Sequence, residues 1–420
     1  MQPRTIPAKR YGLHRTSLSP ASLWVTEQLQ LAGFSAFVVG GALRDLIVGM
    51  TPKDFDVVTD ATPQEIHALF KRSRIIGRRF QLAHVMKGDI IEVSTFRRAV
   101  TQGPDAPASD ERGRIISDNV FGTQSEDALR RDFTVNALYY DPSTEIILDY
   151  VGGVRDIENR LLRVIGDPSL RFREDPVRML RAVRLSAKLD FQIDEAARVP
   201  IASMAHLLNH VPASRIFDEM LKLLLSGHAQ EGINRLRAEG LHHGILPMLD
   251  RVLEQPMGQK FVELALLNTD LRIREGKSVS PAFLFATLFW HDLISAWHDV
   301  QLQSDSSVSA LYEAMDQVMD DLTEKLAIPR RFEIGMKEIW GLQPRFELRS
   351  GHKPVRLLAH PRFRAGYDFL LLRCESGEVD MELGRWWEQF QVSSESERKQ
   401  MLVQTASPHR RKRRKRSVSS

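Results

Sequence analysis

The sequence predicts an α+β fold, in which a small mixed-sheet domain is followed by an all-helical body. Between residues 37 and 140, short apolar and β-branched segments alternate with short helical segments, as expected for a sheet with packed helices. From about residue 201 onward the pattern is helical and is punctuated by Pro and Gly. The chain has 420 residues, of which 43% are hydrophobic and 27% charged, values typical of a soluble globular protein with more than one domain.

The sequence indicates neither secretion nor a membrane span. The longest near-continuous apolar run, residues 281 to 290, is too short to cross a bilayer. No charged segment followed by an apolar stretch opens the chain, as a signal peptide would require. The one cysteine, Cys374, forms no internal disulfide and fits a reducing compartment, so we expect a cytoplasmic location.

The net charge of +4 is unevenly distributed along the chain. Residues 410–416 are seven consecutive cations, and without them 51 basic residues face 54 acidic ones, a balance of −3. Such a block is normally disordered and attracts polyanions, although a nuclear-import signal has the same composition. The candidate RNA-binding cations of this tail are Arg410, Arg411, Lys412, Arg413, Arg414, Lys415 and Arg416.

The first predicted elements after a basic, flexible arm favour an anion site. Residues 1–20 carry four Lys/Arg, no acid and no clear period, and residues 21–31 have a helical pattern. A strand at residues 37–39 then runs into Gly40 and Gly41, and a two-turn helix follows up to Gly49. Free backbone N–H groups and the helix dipole make such a turn suitable for a phosphate.

A pair of carboxylates follows this turn. The β-branched segment at residues 53–59 predicts a strand, which would place Asp54 and Asp56 on one face and Phe55 on the other. An isolated Asp-x-Asp is more often a solvated loop, but beside a phosphate-type turn it suits Mg²⁺ held against a triphosphate.

The next segments predict a capped helix, a hairpin and a mobile loop. Thr62 to Glu65 forms a capping box, which is structural. Residues 75–85 and 90–98 predict a hairpin with its turn at Gly88, in which Glu92 is either solvent-facing or a third carboxylate beside the aspartates. The polar, aperiodic residues 99–116 predict a mobile loop.

Two further segments carry arginines. A charged helix leads into Arg130-Arg131-Asp132, which in isolation would be a surface ion-pair cluster. A helix beginning at Pro176 has an apolar face and an opposite stripe of cations, which is either a solvated face or an RNA-binding surface. The candidate RNA-binding cations of this stripe are Arg181, Arg184 and Lys188.

These motifs together resemble the class II nucleotidyltransferases, the bacterial poly(A) polymerases and CCA-adding enzymes of the polymerase-β superfamily. The resemblance rests on the following matching segments: Gly40-Gly41-x-x-Arg44-Asp45 with Asp54-x-Asp56, Arg130-Arg131-Asp132-Phe133-Thr134-x-Asn136, and Glu174-Asp175-x-x-Arg178. It covers residues 30 to 240 well and the remainder loosely. It implies an α+β nucleotidyltransferase head followed by an all-helical RNA-binding body.

The resemblance also implies roles for individual residues. It makes Asp54 and Asp56 the ligands of two Mg²⁺ ions, with Glu92 or Asp132 as a further catalytic carboxylate. The implied nucleotide-binding residues are Gly40, Gly41, Arg44, Arg130, Arg131, Asp175 and Arg178. The implied substrates are ATP and RNA 3′ ends, and the sequence does not identify protein partners from RNA decay.

The flanking segments favour the poly(A) polymerases within this family. Residues 75–85, Ile-Ile-Gly-Arg-Arg-Phe-x-Leu-Ala-His-Val, resemble the poly(A) polymerase version, as does the arginine-rich end. We therefore predict template-independent polyadenylation, with CCA addition as the alternative and a non-catalytic RNA-binding protein as a distant one. His242-His243 and His291-Asp292 raise the possibility of a metal phosphohydrolase domain, but no matching ligand pattern accompanies them, which favours a structural role.

The predicted organisation has five parts. These are a basic arm (1–30), a catalytic head (31–150), a helical neck for base recognition and RNA binding (151–240), a helical body (241–395) and a disordered basic tail (396–420).

Overall fold

The computed structural model describes residues 1–77, 81–98, 120–244, 256–303 and 306–403, and it confirms the predicted α+β class. The chain packs as two units, Met1–Leu246 and Pro247–Ser420. The predicted mobile loop (99–116), Arg78 to Phe80 of the hairpin segment, and the seven cations at 410–416 lie outside the described residues.

The first unit is organised around an eight-stranded mixed sheet with the order β1-β8-β7-β2-β3-β6-β5-β4. Neighbouring strands are antiparallel except β3 and β6, which are parallel. Its strands are β1 (Arg4–Pro7), β2 (Ala36–Val39), β3 (Asp56–Thr59), β4 (Ser73–Ile76), β5 (Leu82–Lys87), β6 (Asp89–Thr95), β7 (Leu138–Asp141) and β8 (Ile146–Asp149). The predicted hairpin is confirmed as β5 and β6, with Gly88 at a positive φ of 84° in the turn.

Helices accompany the sheet and then form the neck. Those of the sheet region are α1 (Pro20–Leu31), α2 (Gly41–Val48), α3 (Pro63–Leu69), α4 (Gln124–Arg130) and α5 (Gly153–Glu158). Those that follow are α6 (Pro168–Glu174), α7 (Val177–Leu189), α8 (Glu195–Met204), α9 (Ala213–Leu224) and α10 (Ala229–Ala238), with a small parallel ladder of β9 (Leu161–Leu162) and β10 (Gln192–Ile193). The capping box of α3 and the glycine stop of α2 at Gly49 are as predicted.

The start of the chain differs from the flexible arm predicted for it. Strand β1 pairs along its whole length with β8, from Arg4 opposite Asp149 to Pro7 opposite Ile146. Ile6 is buried, whereas the residues on either side of it are exposed. A single apolar residue among polar ones is a weak sequence signal for an edge strand, which explains why the prediction was wrong here.

Strand β3 is shorter than predicted, and Asp54 precedes it. The strand begins at Asp56, which pairs with Val39, the last residue of β2. The next residue, Gly40, has a φ of 81° and turns the chain into α2, so β2 offers no partner to the residues before Asp56. The prediction that Asp54 and Asp56 share one strand face is therefore wrong, although they remain two residues apart.

The second unit is helical in its described residues. Its helices are α11 (Pro256–Arg274), α12 (Pro281–Leu288), α13 (Trp290–Gln301), α14 (Ser307–Leu326), α15 (Arg330–Phe346), α16 (Lys353–Leu358), α17 (Phe363–Ser376), α18 (Met381–Val392) and α19 (Glu395–Met401). Phe346, Tyr367 and Trp387 belong to one of its buried aromatic clusters, and Cys374 is buried there.

Helix α19 includes residues 396–401, so the prediction of a disordered tail from residue 396 is wrong for these residues. A capping box between Ser394 and Glu397 stabilises its first turn. No helix in the described part of the chain is long and apolar enough to cross a membrane.

Candidate active site

The predicted phosphate turn is a sharp glycine turn beside an arginine. Gly40 adopts a φ of 81°, where a side chain would be strained, and α2 begins at the next residue. A Cβ atom on Gly40 would lie 3.8 Å from Nη1 of Arg131. The start of α2 and the Arg131 guanidinium therefore both contribute positive potential at this turn.

Three carboxylates lie close to this turn, namely Asp56 on β3, Asp54 just before β3 and Glu92 on β6. Asp56 of β3 pairs in register with Glu92 of the parallel strand β6, so the two side chains are neighbours on one face. Desolvation and the nearby Glu92 and Asp54 charges raise the pKa of Asp56 to about 6, with Arg131 opposing them. On the other side of Glu92, Nε2 of His84 lies 3.3 Å from Oε1.

Crowded negative charge of this kind suits a divalent cation. Asp54 and Asp56 both reach the surface, although surrounding protein atoms partly desolvate Asp56, and hard carboxylate oxygens are the ligands that Mg²⁺ prefers. In the described residues, no three His, Cys, Asp or Glu side chains are preassembled as a metal centre. The two aspartates therefore fit a cation whose remaining ligands come from substrate phosphates and water.

A cavity of about 320 Å³ lies beside the carboxylates. Ser94 lines it and stands two residues beyond Glu92 on the same face of β6, a distance of roughly 7 Å along the strand. The sheet, the end of α4 and the neck helices all contribute residues to its lining. Its lining residues are Leu82, Ser94, Thr95, Arg97, Asp127, Arg130, Arg131, Asp132, Asp175, Arg178 and Arg181.

Arg131 is fixed in this cavity by two partners. Asp127, one helical turn earlier, accepts hydrogen bonds from Nε of Arg131 (3.0 Å) and from the hydroxyl of Tyr139 (2.8 Å). The guanidinium carbon lies 5.3 Å from the centre of the Tyr139 ring. Burial opposes the charge of Arg131, but Asp127 outweighs it and raises the pKa of Arg131 above its ordinary value. Arg131 is therefore a permanent cation in a fixed orientation.

Asp132 lines the cavity, and both of its oxygens have partners. Oδ1 accepts hydrogen bonds from the backbone N–H of Phe133 (2.8 Å) and from Nδ2 of Asn136 (3.1 Å), and Oδ2 accepts one from Arg181 (2.8 Å). Burial alone would raise the pKa of Asp132, but Arg181 and Asn136 hold it well below its usual range.

Arg44 is buried and binds neighbouring side chains, whereas the resemblance implies that it binds the nucleotide. Nε and Nη2 donate to Oδ1 of Asp45 (2.9 and 2.6 Å), and Nη1 donates to Oδ1 of Asn136 (2.5 Å). The side chains of Arg44 and Asp45 are only 6% and 5% exposed. Arg44 thus holds α2 against the segment that carries Asp132.

The implied base-recognition residues also lie in the cavity. Asp175 forms a two-pronged ion pair with Arg215 of α9, with both N···O distances 2.9 Å. Burial opposes the charged form, but Arg215 outweighs it and holds the pKa of Asp175 below its ordinary value. Arg178 donates to Oε2 of Glu174 (3.1 Å) and to the carbonyl of Arg171 (2.7 Å).

The cationic stripe predicted on α7 is not an open basic face. Arg181 pairs with Asp132 and Glu219, Arg184 pairs with Glu219, and Nζ of Lys188 lies 2.7 Å from Asp45. The side chains of these three cations are between 18% and 28% exposed. These ion pairs connect α7 to α9 and to the sheet region. The three cations therefore do not form the open, solvent-facing stripe that was predicted to bind RNA. The opposite face is buried, as predicted.

Several functional-site residues were missed from sequence. The i, i+4 spacing of Asp127 and Arg131 could have indicated their pairing. Glu219 lies among the apolar positions of α9, where an acid needs a partner, and this too is a readable signal. Arg97 and the Asp175–Arg215 pair had no comparable signal, because their contacts depend on the tertiary fold.

Comparison with known proteins relates three segments of the chain to poly(A) polymerases. Three family models match: Poly A polymerase head domain at residues 36–163, probable RNA and SrmB-binding site of polymerase A at 190–253, and Polymerase A arginine-rich C-terminus at 303–419. The poly(A) polymerase I of Escherichia coli O6:H1 is 43% identical over 430 residues, covering 99% of this chain and 92% of the relative.

Matches to CCA-adding enzymes are more distant. The CCA-adding enzyme of Geobacillus thermodenitrificans is 38% identical but covers only 52% of this chain and 53% of the relative. The Thermotoga maritima CCA-adding enzyme complexed with tRNA is 18% identical, with a TM-score of 0.61 over 97% of this chain and 92% of that chain, which shows a shared fold.

The head-domain match, the glycine turn and the paired carboxylates define a nucleotidyltransferase. Within that class, the chain belongs to the bacterial poly(A) polymerase family. The prediction of this family, and its preference over the CCA-adding enzymes, are confirmed.

Proposed function

We propose that this protein is a polynucleotide adenylyltransferase, which transfers AMP from ATP to RNA 3′ ends and releases pyrophosphate. The observation that carries the chemistry is the juxtaposition of the Asp56–Glu92 pair with an arginine-lined cavity. Family membership supports the choice of a nucleotide and RNA as substrates. The sequence match to the CCA-adding enzyme of Geobacillus thermodenitrificans covers only 52% of the chain, whereas the match to the poly(A) polymerase covers 99%, which favours polyadenylation over CCA addition.

Asp54 and Asp56 would hold Mg²⁺ in this proposal. The bound metal would lower the pKa of the attacking 3′-hydroxyl and neutralise charge on the leaving pyrophosphate. The raised pKa of Asp56 supports the assignment, because a cation relieves the repulsion that causes it. Glu92 is the better third carboxylate, since the oxygens of Asp132 already accept from Phe133, Asn136 and Arg181.

The cavity residues would bind and orient the nucleotide. Gly40 and Gly41 would leave room for the triphosphate at the start of α2, where free backbone N–H groups would bind it. Arg130 and Arg131 would supply positive charge to the phosphates. Asp175 and Arg178 would contact the adenine. The carboxylate of Asp175, although paired with Arg215, keeps lone pairs that could accept a hydrogen bond from the exocyclic amine of the adenine. Arg44 would act indirectly, by holding α2 in place.

RNA binding is assigned to residues other than the α7 stripe. The seven tail cations, residues 410–416, remain the proposed sequence-independent phosphate contacts. The proposed division of the chain is a head (31–150), a neck (151–240) and a body (241–395). The first 30 residues belong with the head, because β1 pairs with β8 of its sheet. The proposed setting is the cytoplasm, on the basis of the single cysteine.

The substitution Asp54→Ala tests the metal assignment. Labelled ATP and an RNA primer with Mg²⁺ should give AMP incorporation with the wild-type protein and none detectable with the variant. RNA binding by the variant, measured by anisotropy, should stay within about twofold, because phosphate contacts dominate affinity. Asp320→Ala, which removes an exposed acid of the second unit, is the matched control.

Retained incorporation in Asp54→Ala would contradict the metal assignment. A parallel reaction with CTP and a tRNA that lacks its 3′ end tests the substrate. Incorporation of CMP there, in preference to AMP on the bare primer, would overturn polyadenylation in favour of CCA addition.

A further inference from the structure

A second cavity of the first unit lies apart from the residues assigned above. It encloses about 460 Å³ between α1, the end of α3 and the β5–β6 hairpin. Its floor is aromatic, with the rings of Trp24 and Phe70 5.5 Å apart. None of its lining residues belongs to the carboxylate site or to the arginine-lined cavity.

Three cations line this cavity without carboxylate partners. Lys71, Arg72 and Lys87 are exposed, and their side chains form no ion pair or hydrogen bond in the described part of the chain. No Asp or Glu lines the cavity, and Asp89 stands next to its Gly88 without lining it. By contrast, Arg131, Arg178 and Arg181 of the arginine-lined cavity are paired with acids.

The position of Lys87 combines the aromatic and the cationic features. Its ammonium group lies 4.4 Å from the centre of the Trp24 ring, within cation–π distance, and keeps its N–H donors for a ligand. The indole N–H of Trp24 also has no hydrogen-bond acceptor among the described residues. A ligand that fits this arrangement has phosphates for the cations and a flat apolar group for the indole.

Single-stranded RNA has both features, since aromatic side chains flanked by cations are the usual platform for bases and phosphates. Glu92 lies three residues beyond Asp89 on β6, roughly 10 Å along the strand, with its side chain on the face of the sheet opposite Val85 and Lys87 of this cavity. An RNA strand bound in the cavity would therefore reach the carboxylates by passing around the β5–β6 hairpin. We propose that this basic-aromatic cavity binds a single-stranded segment of the RNA substrate upstream of its 3′ end. The inference rests on the proposed function for its choice of RNA.

The double charge reversal Lys71→Glu/Lys87→Glu tests the proposal. Anisotropy with a fluorescent oligoadenylate, without ATP or Mg²⁺, should show affinity about tenfold weaker and a log–log salt slope smaller by roughly 1.4, for two lost contacts. The KM for the oligoadenylate should rise by a similar factor, while the KM for ATP and kcat stay unchanged. A trinucleotide primer, too short to reach the cavity, should be used equally well by both proteins.

Two further variants make the test specific. Lys9→Glu at the opposite edge of the sheet is the matched control, because Lys9 is also exposed and follows the edge strand β1. Lys87→Gln removes charge but little volume, and it should give a smaller loss of the same kind. Photo-crosslinking of thiouridine-containing RNA should label the peptide with Trp24, the one tryptophan before residue 290.

Equal RNA affinity and salt slope for the double variant and Lys9→Glu would overturn the inference. Protection of Trp24 from crosslinking by ATP alone, without an effect of the variants on RNA, would instead indicate a mononucleotide site and would overturn it as well. Binding is measured here without catalysis, so a wild-type protein that failed to incorporate AMP would refute only the proposed function.

Discussion

Three aspartates of the first unit show how neighbouring charges give one residue type different properties. Asp56 stands beside Glu92 and Asp54, and its pKa is raised to about 6. Asp132 and Asp175 are bound by Arg181 and Arg215, and their pKa values are lowered. Asp56 is therefore poised to take up a cation, whereas the other two stay ionised as fixed anchors across the neutral range.

The Asp175–Arg215 pair gives a prediction at this scale. Arg215→Met leaves Asp175, 17% exposed, without its partner and should lower the free energy of unfolding at pH 7 by about 1–3 kcal/mol. The folded pKa is depressed, so the stabilisation is present above the unfolded value of about 3.9 and is lost as the pH falls through the lower folded value. Urea unfolding of variant and wild type should therefore give converging free energies only at pH values below the folded pKa of Asp175.

Lys399→Met is the control for this measurement. Lys399 also pairs with a carboxylate, Glu395, but the two side chains are 72% and 86% exposed. The loss should be much smaller, because solvent screens such a pair. An equal and pH-independent loss in both variants would mean that Arg215 contributes through packing alone.

At the scale of the element, the cations of α7 connect this helix to other parts of the first unit. Its cations pair with Asp132 and Glu219 and with Asp45 of α2. Because α2 begins at the glycine turn, and Arg44 of α2 also binds Asn136, the ion pairs link α7 to the turn and to Asp132. Displacement of α7 should therefore disturb both the turn and the cavity.

Lys188→Met tests this linkage. The variant leaves Asp45, 5% exposed, with Arg44 but without its second cation, and we expect a loss of about 1–3 kcal/mol in stability. A displaced glycine turn should raise the KM for ATP while RNA affinity stays unchanged. Lys222→Met is the control, since Nζ of Lys222 lies 3.8 Å from Glu219 and its side chain is 61% exposed. An unchanged KM for ATP in Lys188→Met would contradict the proposed linkage.

Elements with a local signal were predictable, and contacts between distant elements were not. The capping box of α3, the Gly49 stop of α2 and the β5–β6 hairpin each depend on neighbouring residues, and sequence identified them. The stripe on α7 was recognised as a period of cations, but its acids lie on other elements. Periodicity shows which residues share a face, and it cannot show what covers that face.

The site shows the same division. The motif residues Arg131, Asp132, Asp175 and Arg178 do meet in one cavity, as the family resemblance implies. The buried position of Arg44 could not be read, because its partner Asn136 is 92 residues away. Strand β1 was missed because its single buried side chain, Ile6, gives too short a pattern.

At the scale of the whole molecule, charge is segregated along the chain. The seven cations at residues 410–416 turn a balance of −3 into the net +4 of the full chain. Many cations near the cavity are neutralised by internal carboxylates, so they add little to long-range attraction of RNA. The tail and the basic-aromatic cavity are thus the proposed sources of affinity for the phosphate backbone.

Deletion of residues 408–420 separates these two sources. The truncated chain has a net charge of −3, so its association with RNA should slow and its affinity should fall. The log–log salt slope should decrease by at most about 5, the value for seven contacts to a single strand. Because phosphate contacts carry no sequence information, oligoadenylate and mixed-sequence RNA should lose affinity equally, while kcat at saturating RNA stays unchanged.

In the truncated protein, Lys71→Glu/Lys87→Glu should reduce the remaining salt slope by the same amount as in the full chain, since independent contacts contribute additively. An unchanged salt slope in the truncated protein would show that the tail does not contact the RNA backbone.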